Sequence, residues 1–202
     1  MTLLRVRQPS LVVLIGPAGS GKSTFARRHF QPTEVVSSDA CRALVSDSEN
    51  SQWATPAAFE ILHLIVGSRL KARRLTVVDA TNLHARDRRP FIALARTHHC
   101  VAAAIVFNLS EQACVEWDLA RTHRHVGQRV IERQCKLLQR SLPRLQEEGF
   151  SHVHVLETPE QVESAVVERL RLGRVIADQD GEPPGPHGWW ARLRRLRQRL
   201  GW

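Results

Sequence analysis

The sequence predicts an α/β domain, with a parallel sheet of about five strands covered by helices on both faces. Two patterns carry that expectation. Short runs rich in Val, Ile and Leu lack the polar alternation of a half-exposed sheet, as strands buried on both faces should. Helical stretches separate these runs, the order that yields βαβ crossovers. A third observation sets a binding loop in the frame. The apolar run Leu11–Ile15 enters Gly16-x-x-x-x-Gly21-Lys22-Ser23, the phosphate-binding loop pattern, and a helical Phe25–Phe30 segment follows it. The predicted sheet is therefore of P-loop NTPase type.

The chain reads in order as follows. Lys22–Phe30 is the first helix, stopped by Gln31-Pro32, and Glu34–Ser37 is the second strand. Asp39–Val45 is helical, and the polar stretch Ser46–Gln52 is expected to be a mobile connection. Pro56–Leu70 is a long helix with Phe59, Leu62 and Val66 at helical spacing. Leu75–Asp79 forms a third strand, Arg86–His98 a helix with a basic face, and Val101–Leu109 a wholly apolar fourth strand. Ser110 caps a helix over Glu111–Ala120, and Val126–Glu148 is helical, weakened near Pro143 and closed at Gly149. His152–Leu156 is the fifth strand. Thr158-Pro159-Glu160-Gln161 combines an N-cap, a first-turn proline and a capping-box Gln, opening a helix expected to run to about Leu172.

The composition bounds the rest. The chain has 202 residues, 43% hydrophobic, enough for one ordinary domain with an extension. Residues 1–176 are read as the domain, with a helical lid near 117–126. Residues 177–188 are a Pro/Gly linker and 189–202 a basic C-terminal amphipathic helix, with Trp189, Leu193, Leu196 and Leu200 on one face. Five arginines there supply more than half of the net charge of +9, and a helix of that kind suits nucleic acid, an anionic surface or another protein. Met1–Ser10 lacks a signal-peptide apolar core, so a cytoplasmic location is expected. Cys41, Cys100, Cys114 and Cys135 lie far apart, without metal-ligand spacing, and read as reduced thiols.

Chemistry concentrates at strand ends. Gly16, Gly19, Ser20, Gly21, Lys22, Ser23 and Thr24 are the expected contacts of a nucleoside triphosphate such as ATP. Lys22 reaches its terminal phosphates and Ser23 ligates Mg²⁺. In open parallel sheets ligands bind at the carboxyl ends of strands, which singles out Asp39, Asp79, Thr81 and Asn82. Asp39 is placed to take a proton from an acceptor hydroxyl, and Arg42, three residues on, to hold an anionic acceptor. Spacing alone leaves a capping aspartate beside an exposed arginine as the other reading. Asp79 resembles the strand-ending acid that holds Mg²⁺ through water, against a simple turn cap. Arg121 and Arg124, at a helix-to-helix junction, suit a lid closing on phosphates, or else form a solvated basic turn.

The segments around these residues resemble one family. Gly-Ser-Gly-Lys-Ser-Thr-Phe-Ala, then Ser-Ser-Asp-Ala-Cys-Arg and Val-Val-Asp-Ala-Thr-Asn, are similar to the 5′-kinase domain of bacterial polynucleotide kinase–phosphatase RNA repair enzymes, over approximately Ser10–Leu170. The resemblance implies ATP- and Mg²⁺-dependent phosphorylation of 5′-OH ends of RNA or DNA. It implies Asp39 as general base, Arg42 on the phosphate beside the reactive nucleotide, and Arg124 on the ATP phosphates. The family's lid carries a further arginine about where this chain has Trp117. Its long members continue into phosphatase and ligase domains, whereas this chain carries the tail from about Ala177, so that it either acts alone or recruits separate repair enzymes through the helix at 189–202. Two other functions share the loop. A small-molecule kinase would need no basic acceptor groove, and an ATP-switched nucleic-acid adaptor would transfer nothing.

Overall fold

The computed structural model describes residues 2–122 and 125–171. Arg124, the linker at 177–188 and the helix at 189–202 lie outside them. Residues Met1–Arg171 form one compact unit.

Strand β1 (Thr2–Gln8) is followed by β2 (Ser10–Ile15), the phosphate loop and α1 (Lys22–His29). Then come β3 (Val35–Ser37), α2 (Ser38–Ser46), α3 (Thr55–Lys71), β4 (Thr76–Asp79) and α4 (Ala85–Thr97). The chain continues through β5 (Val101–Phe107), α5 (Glu111–Leu119), α6 (Gln128–Ser141), β6 (His152–Leu156), α7 (Pro159–Glu163) and β7 (Ala165–Arg171). The main sheet is parallel throughout, in the order β3-β4-β2-β5-β6. All six residues of the central strand β2 are buried. Leu11, Val13 and Ile15 pack into one core with Leu62, Val66 and Leu70 of α3 and Phe91 of α4. Val12 and Leu14 face the other, with Phe25 of α1 and Phe107. Each such side chain contributes about 1.5–3 kcal/mol by leaving water. Helix α6 sends Leu138 into the first core and Ile131 into the second, so it spans the edge between the two layers.

The five expected strands are all present, and Ser110 and Thr158 cap α5 and α7 by accepting from Ala113 and Gln161 amides. Three expectations are corrected. The helix expected to reach Leu172 stops at Glu163, and the chain turns into β7. Its partner is β1, a strand unassigned from sequence, and the two pair in parallel from Thr2↔Ala165 to Gln8↔Arg171. Leu4 and Val6 alternate inward with Arg5 and Arg7 outward, the period of a strand. Arg169 of β7 makes a bidentate pair with Glu34, both bonds 2.8 Å, and lies over the Phe30 ring. That tie, distant in sequence, outweighs local helix propensity. The long helix through Glu148 ends at Ser141, where Pro143 removes an amide donor, and continues as a 3₁₀ segment to Gly149 at φ +107°. The stretch expected to be mobile is internally bonded: Ser46 Oγ donates to the Ser48 carbonyl at 3.0 Å, and a 3₁₀ turn occupies Gln52–Ala54.

All four cysteines are free thiols. Among the described residues no helix is long and apolar enough to cross a membrane.

One buried network positions the β4 carboxyl end. Arg88 of α4 is fully buried, gripping Glu148 through Nε at 2.7 Å and through Nη2. Its Nη1 donates to the Asn82 carbonyl at 2.7 Å, and Asn82 Nδ2 donates to the Leu14 carbonyl at 2.8 Å. Asn82, singled out as a strand-end polar residue, therefore braces the sheet behind the cavity. Glu148→Leu strips the buried guanidinium of its counter-charge and should lower unfolding free energy by about 3–5 kcal/mol. The paired change Arg88→Met with Glu148→Leu should recover most of that loss in denaturant titrations.

Candidate active site

The parallel register brings the functional strand ends to one edge. Ser37 of β3 pairs with Asp79 of β4, so Asp39, in the first turn of α2, stands beside the Asp79 end. β2 delivers the phosphate loop to the same edge. Gly19 and Gly21 hold φ of +75° and +84°, and a Cβ on either would strike α5, at the Cys114 carbonyl or the Trp117 ring. Only glycine allows the loop this turn with α5 so close. The Gly16 amide donates to the Thr81 carbonyl at 3.0 Å, locking loop and β4 end together.

The loop is closed on its own polar groups. Lys22 Nζ donates to the Pro17 carbonyl at 2.6 Å and to Ser20 Oγ at 3.2 Å. The Ala18 amide donates to Gln134 Oε1 of α6 at 2.7 Å. Burial pushes the Lys22 ammonium down to about 8; Asp79 and Cys114 pull it back up, while Arg121 pushes it further down. An ammonium held this far below its usual range is short of negative charge, which a bound polyphosphate supplies.

A cavity of about 590 Å³ opens beside the loop. Ala18, Lys22, Ser23 and Asp79 line it together with Asp39, Arg42, Thr55 and Phe59, and Arg121 and Gln134 also border it. Arg42 is buried, not exposed. It is ion-paired to Asp39, whose side chain stays 43% exposed, and its Nε donates to the Glu49 carbonyl at 2.9 Å. Asp39 does not cap its helix, because Ser37 does so by accepting from Ala40. A second cavity, about 360 Å³, lies against Gly21, Thr24, Phe25, Trp117 and Val162, and Arg121 borders both. The structure thus gathers Lys22, Ser23, Asp39, Arg42, Asp79 and Arg121 around one cavity. Thr24 falls in the second, and Gly16 and Ser20 serve the loop itself.

Two residues were missed from sequence. Gln134 reaches the loop from an unremarkable amphipathic helix, and no local signal marks it. Asp118 is buried in the last turn of α5: its Oδ2 accepts from the amides of Val126 at 2.8 Å and Gly127 at 3.3 Å, and its Oδ1 lies 3.8 Å from Arg121. For Mg²⁺ the donor chemistry fits. Ser23 and Asp79 offer hard oxygens, the one-carboxylate arrangement that leaves room for phosphate oxygens and water.

A parallel sheet in this order, with a phosphate loop leaving its central strand, defines a P-loop kinase-type phosphotransferase fold. The chain belongs to the AAA_33 family, described as an AAA domain, which matches residues 11–145. Among solved structures, a chain of the Pnkp1/Rnl/Hen1 RNA repair complex is similar at TM-score 0.60 and 26% identity, over 69% of this chain and 47% of that one. A gluconokinase from Sinorhizobium meliloti 1021 matches at TM-score 0.50 and 18% identity, over 78% and 87%, a likeness of fold alone. Transcription factor bHLH140 of Arabidopsis thaliana is 31% identical over 167 residues, 81% of this chain and 17% of that protein. The chain spans about half the repair-complex chain and under a fifth of the plant protein. The polynucleotide-kinase resemblance read from the motifs is borne out at the level of the domain.

The Asp118 contacts are testable. Asp118→Ala leaves the Val126 and Gly127 amides without their acceptor and should cost about 1–3 kcal/mol. Amide exchange at those two positions should accelerate ahead of the sheet; unchanged exchange there would show the strap held by other contacts.

Proposed function

We propose that this domain is an ATP-dependent polynucleotide 5′-hydroxyl kinase, moving the γ-phosphate of ATP to 5′-OH ends of RNA or DNA. The observation that carries the reading is the Asp39–Arg42 pair in one cavity with Lys22, Ser23 and Asp79. A carboxylate joined to a buried guanidinium gives a proton acceptor beside a phosphate-binding group, the two things an acceptor made of nucleotides requires. Likeness to a chain of an RNA repair complex supports it.

In this reading the loop amides and Lys22 hold the β- and γ-phosphates. Asp39 takes the proton of the 5′-hydroxyl as its oxygen bonds the γ-phosphorus, and the bond to the β-phosphate oxygen breaks to release ADP. Arg42 orients Asp39 and grips the phosphate next to the reactive nucleotide, since a planar guanidinium matches phosphate oxygens. Arg121 and Arg124, from the lid, offset charge on the transferred group. Ser23, and Asp79 through water, would hold Mg²⁺, which when bound neutralises charge on the phosphates. Separate repair enzymes are the partners proposed for the segment 189–202.

The deciding experiment is transfer from labelled ATP to single-stranded oligonucleotides with 5′-OH or 5′-phosphate ends, against sugars and other small alcohols. Label on 5′-OH ends alone supports the reading; label on small alcohols alone overturns it in favour of a small-molecule kinase. Asp39→Asn should lower turnover about 10²- to 10⁴-fold with ATP affinity nearly unchanged. Arg42→Ala should raise KM for oligonucleotide more than for ATP. It should also lower turnover, because the buried partner of Asp39 is lost.

Lys22 supplies a pH signature. Its pKa in the free domain, about 8, lies below the ordinary 10.5, and bound phosphates raise it. Below about pH 8 Lys22 is already charged and ATP binding needs no proton. Above it, binding takes up a proton and affinity falls as pH rises. Calorimetry in buffers of different ionisation enthalpy should detect that uptake in the wild type and lose it in Lys22→Met.

A further inference from the structure

Trp53 is the most conspicuous side chain that this mechanism leaves unused. Its indole is 74% exposed, although burying it would remove more apolar surface from water than burying almost any other residue. The exposure is not the looseness of a frayed segment. Trp53 sits at the centre of the one-turn 3₁₀ helix Gln52–Ala54, and Ala54 beneath it is buried to 1% exposure. The Ala54 amide donates to the Ser51 carbonyl at 3.1 Å, and Asn50 N donates to Ser48 Oγ at 3.3 Å. The loop leading to the turn is tied to the acceptor side, because Arg42 Nε donates to the Glu49 carbonyl. The ring is thus presented on a fixed turn.

Its position is specific. Gln52 immediately before it, and Thr55 and Pro56 after it, line the 590 Å³ cavity that Asp39 and Arg42 also line. Trp53 therefore stands at the rim of this cavity, on the loop whose Glu49 carbonyl accepts from Arg42. The first turn of α3, a 17-residue helix, begins at the same rim and turns its positive end toward it. Inside, Thr55 Oγ1 is buried and has no hydrogen-bond partner among the described residues. A strand whose first nucleotide fills the cavity can leave past this rim. It meets there an aromatic face for a base and a helix N-terminus for a phosphate.

We infer that Trp53 is a stacking platform for the base of the second nucleotide of a single-stranded acceptor. The inference rests on the polynucleotide reading above and adds that the site extends beyond the reacting nucleotide. Stacking tolerates any base, since every base has a π face, so the platform would favour length and single-strandedness over sequence.

The test measures how far KM falls when a nucleoside 3′-phosphate acceptor is extended to a 5′-OH dinucleotide and to a longer strand. Loss of one base–aromatic stack is worth about 5- to 150-fold. In the wild type the second nucleotide should lower KM by a factor in that range, and in Trp53→Ala most of this gain should vanish, with KM for ATP unchanged. Trp53→Phe, which keeps a ring, should restore much of it. An acceptor abasic at its second position should weaken the wild type by the same factor and leave Trp53→Ala indifferent. Equal gains on extension in wild type and Trp53→Ala, or equal sensitivity to the abasic site, would overturn the platform while leaving the kinase reading standing. Transfer to no polynucleotide of any length would overturn both.

Discussion

Burial of β2 on both faces is the constraint from which the rest of the domain follows. A strand with no solvent face must have helices above and below it and parallel neighbours on each side, and those neighbours must cross over through helices. With every strand of the main sheet pointing one way, the loops carrying Lys22, Asp39 and Asp79 emerge at one edge. The phosphate loop then needs only glycines at two left-handed positions to turn back on itself against α5. The chemistry of the cavity is a by-product of where an apolar strand can lie.

Much of this was legible in the residues, because the deciding forces there are local. Apolar runs, Ser110 and Thr158 as caps and the glycine spacing of the loop all act within a few positions of themselves. The β1–β7 ribbon was not legible. Its two strands are joined by contacts across the length of the domain, and the Glu34–Arg169 pair that pins β7 has no local trace. Residues 165–171 follow a well-capped helix start, so helix periodicity ran on past Glu163 where tertiary pairing took over. β1 did carry a signal, the alternation of Leu4 and Val6 with Arg5 and Arg7, masked by attention to charge. At the cavity, Lys22 and Ser23 were marked by the loop motif, Asp39 and Asp79 by strand ends and Arg42 by its spacing to Asp39. Arg42 was expected on a helix face, but its burial and its bond to the Glu49 carbonyl depend on a loop fold that polarity alone described as slack. Gln134 and Asp118 were missed because each acts on backbone amides, which a pattern of side chains does not record.

The phosphate loop with Lys22 and Ser23 leaves the central strand of this fold, and the fold is what the gluconokinase likeness shows. In the proposed reading, the buried Arg42 held against Asp39, with Trp53 exposed nearby in the chain, serves an acceptor made of nucleotides.

The small β1–β7 sheet carries one more implication. The family match stops at residue 145, yet β6, α7 and β7 follow it and β1 precedes it. Leu156, Val162, Ala165, Leu4 and Val6 from these flanks complete the core on the α1 side. The segment that lineage marks as shared and the segment that folds are therefore different lengths. A gene fragment cut to the shared region would encode every loop residue and every strand-end acid while exposing the greasy underside of α1. Modular transfer of such a domain between longer proteins must carry its flanking strands along, as inconspicuous luggage that the motifs do not advertise.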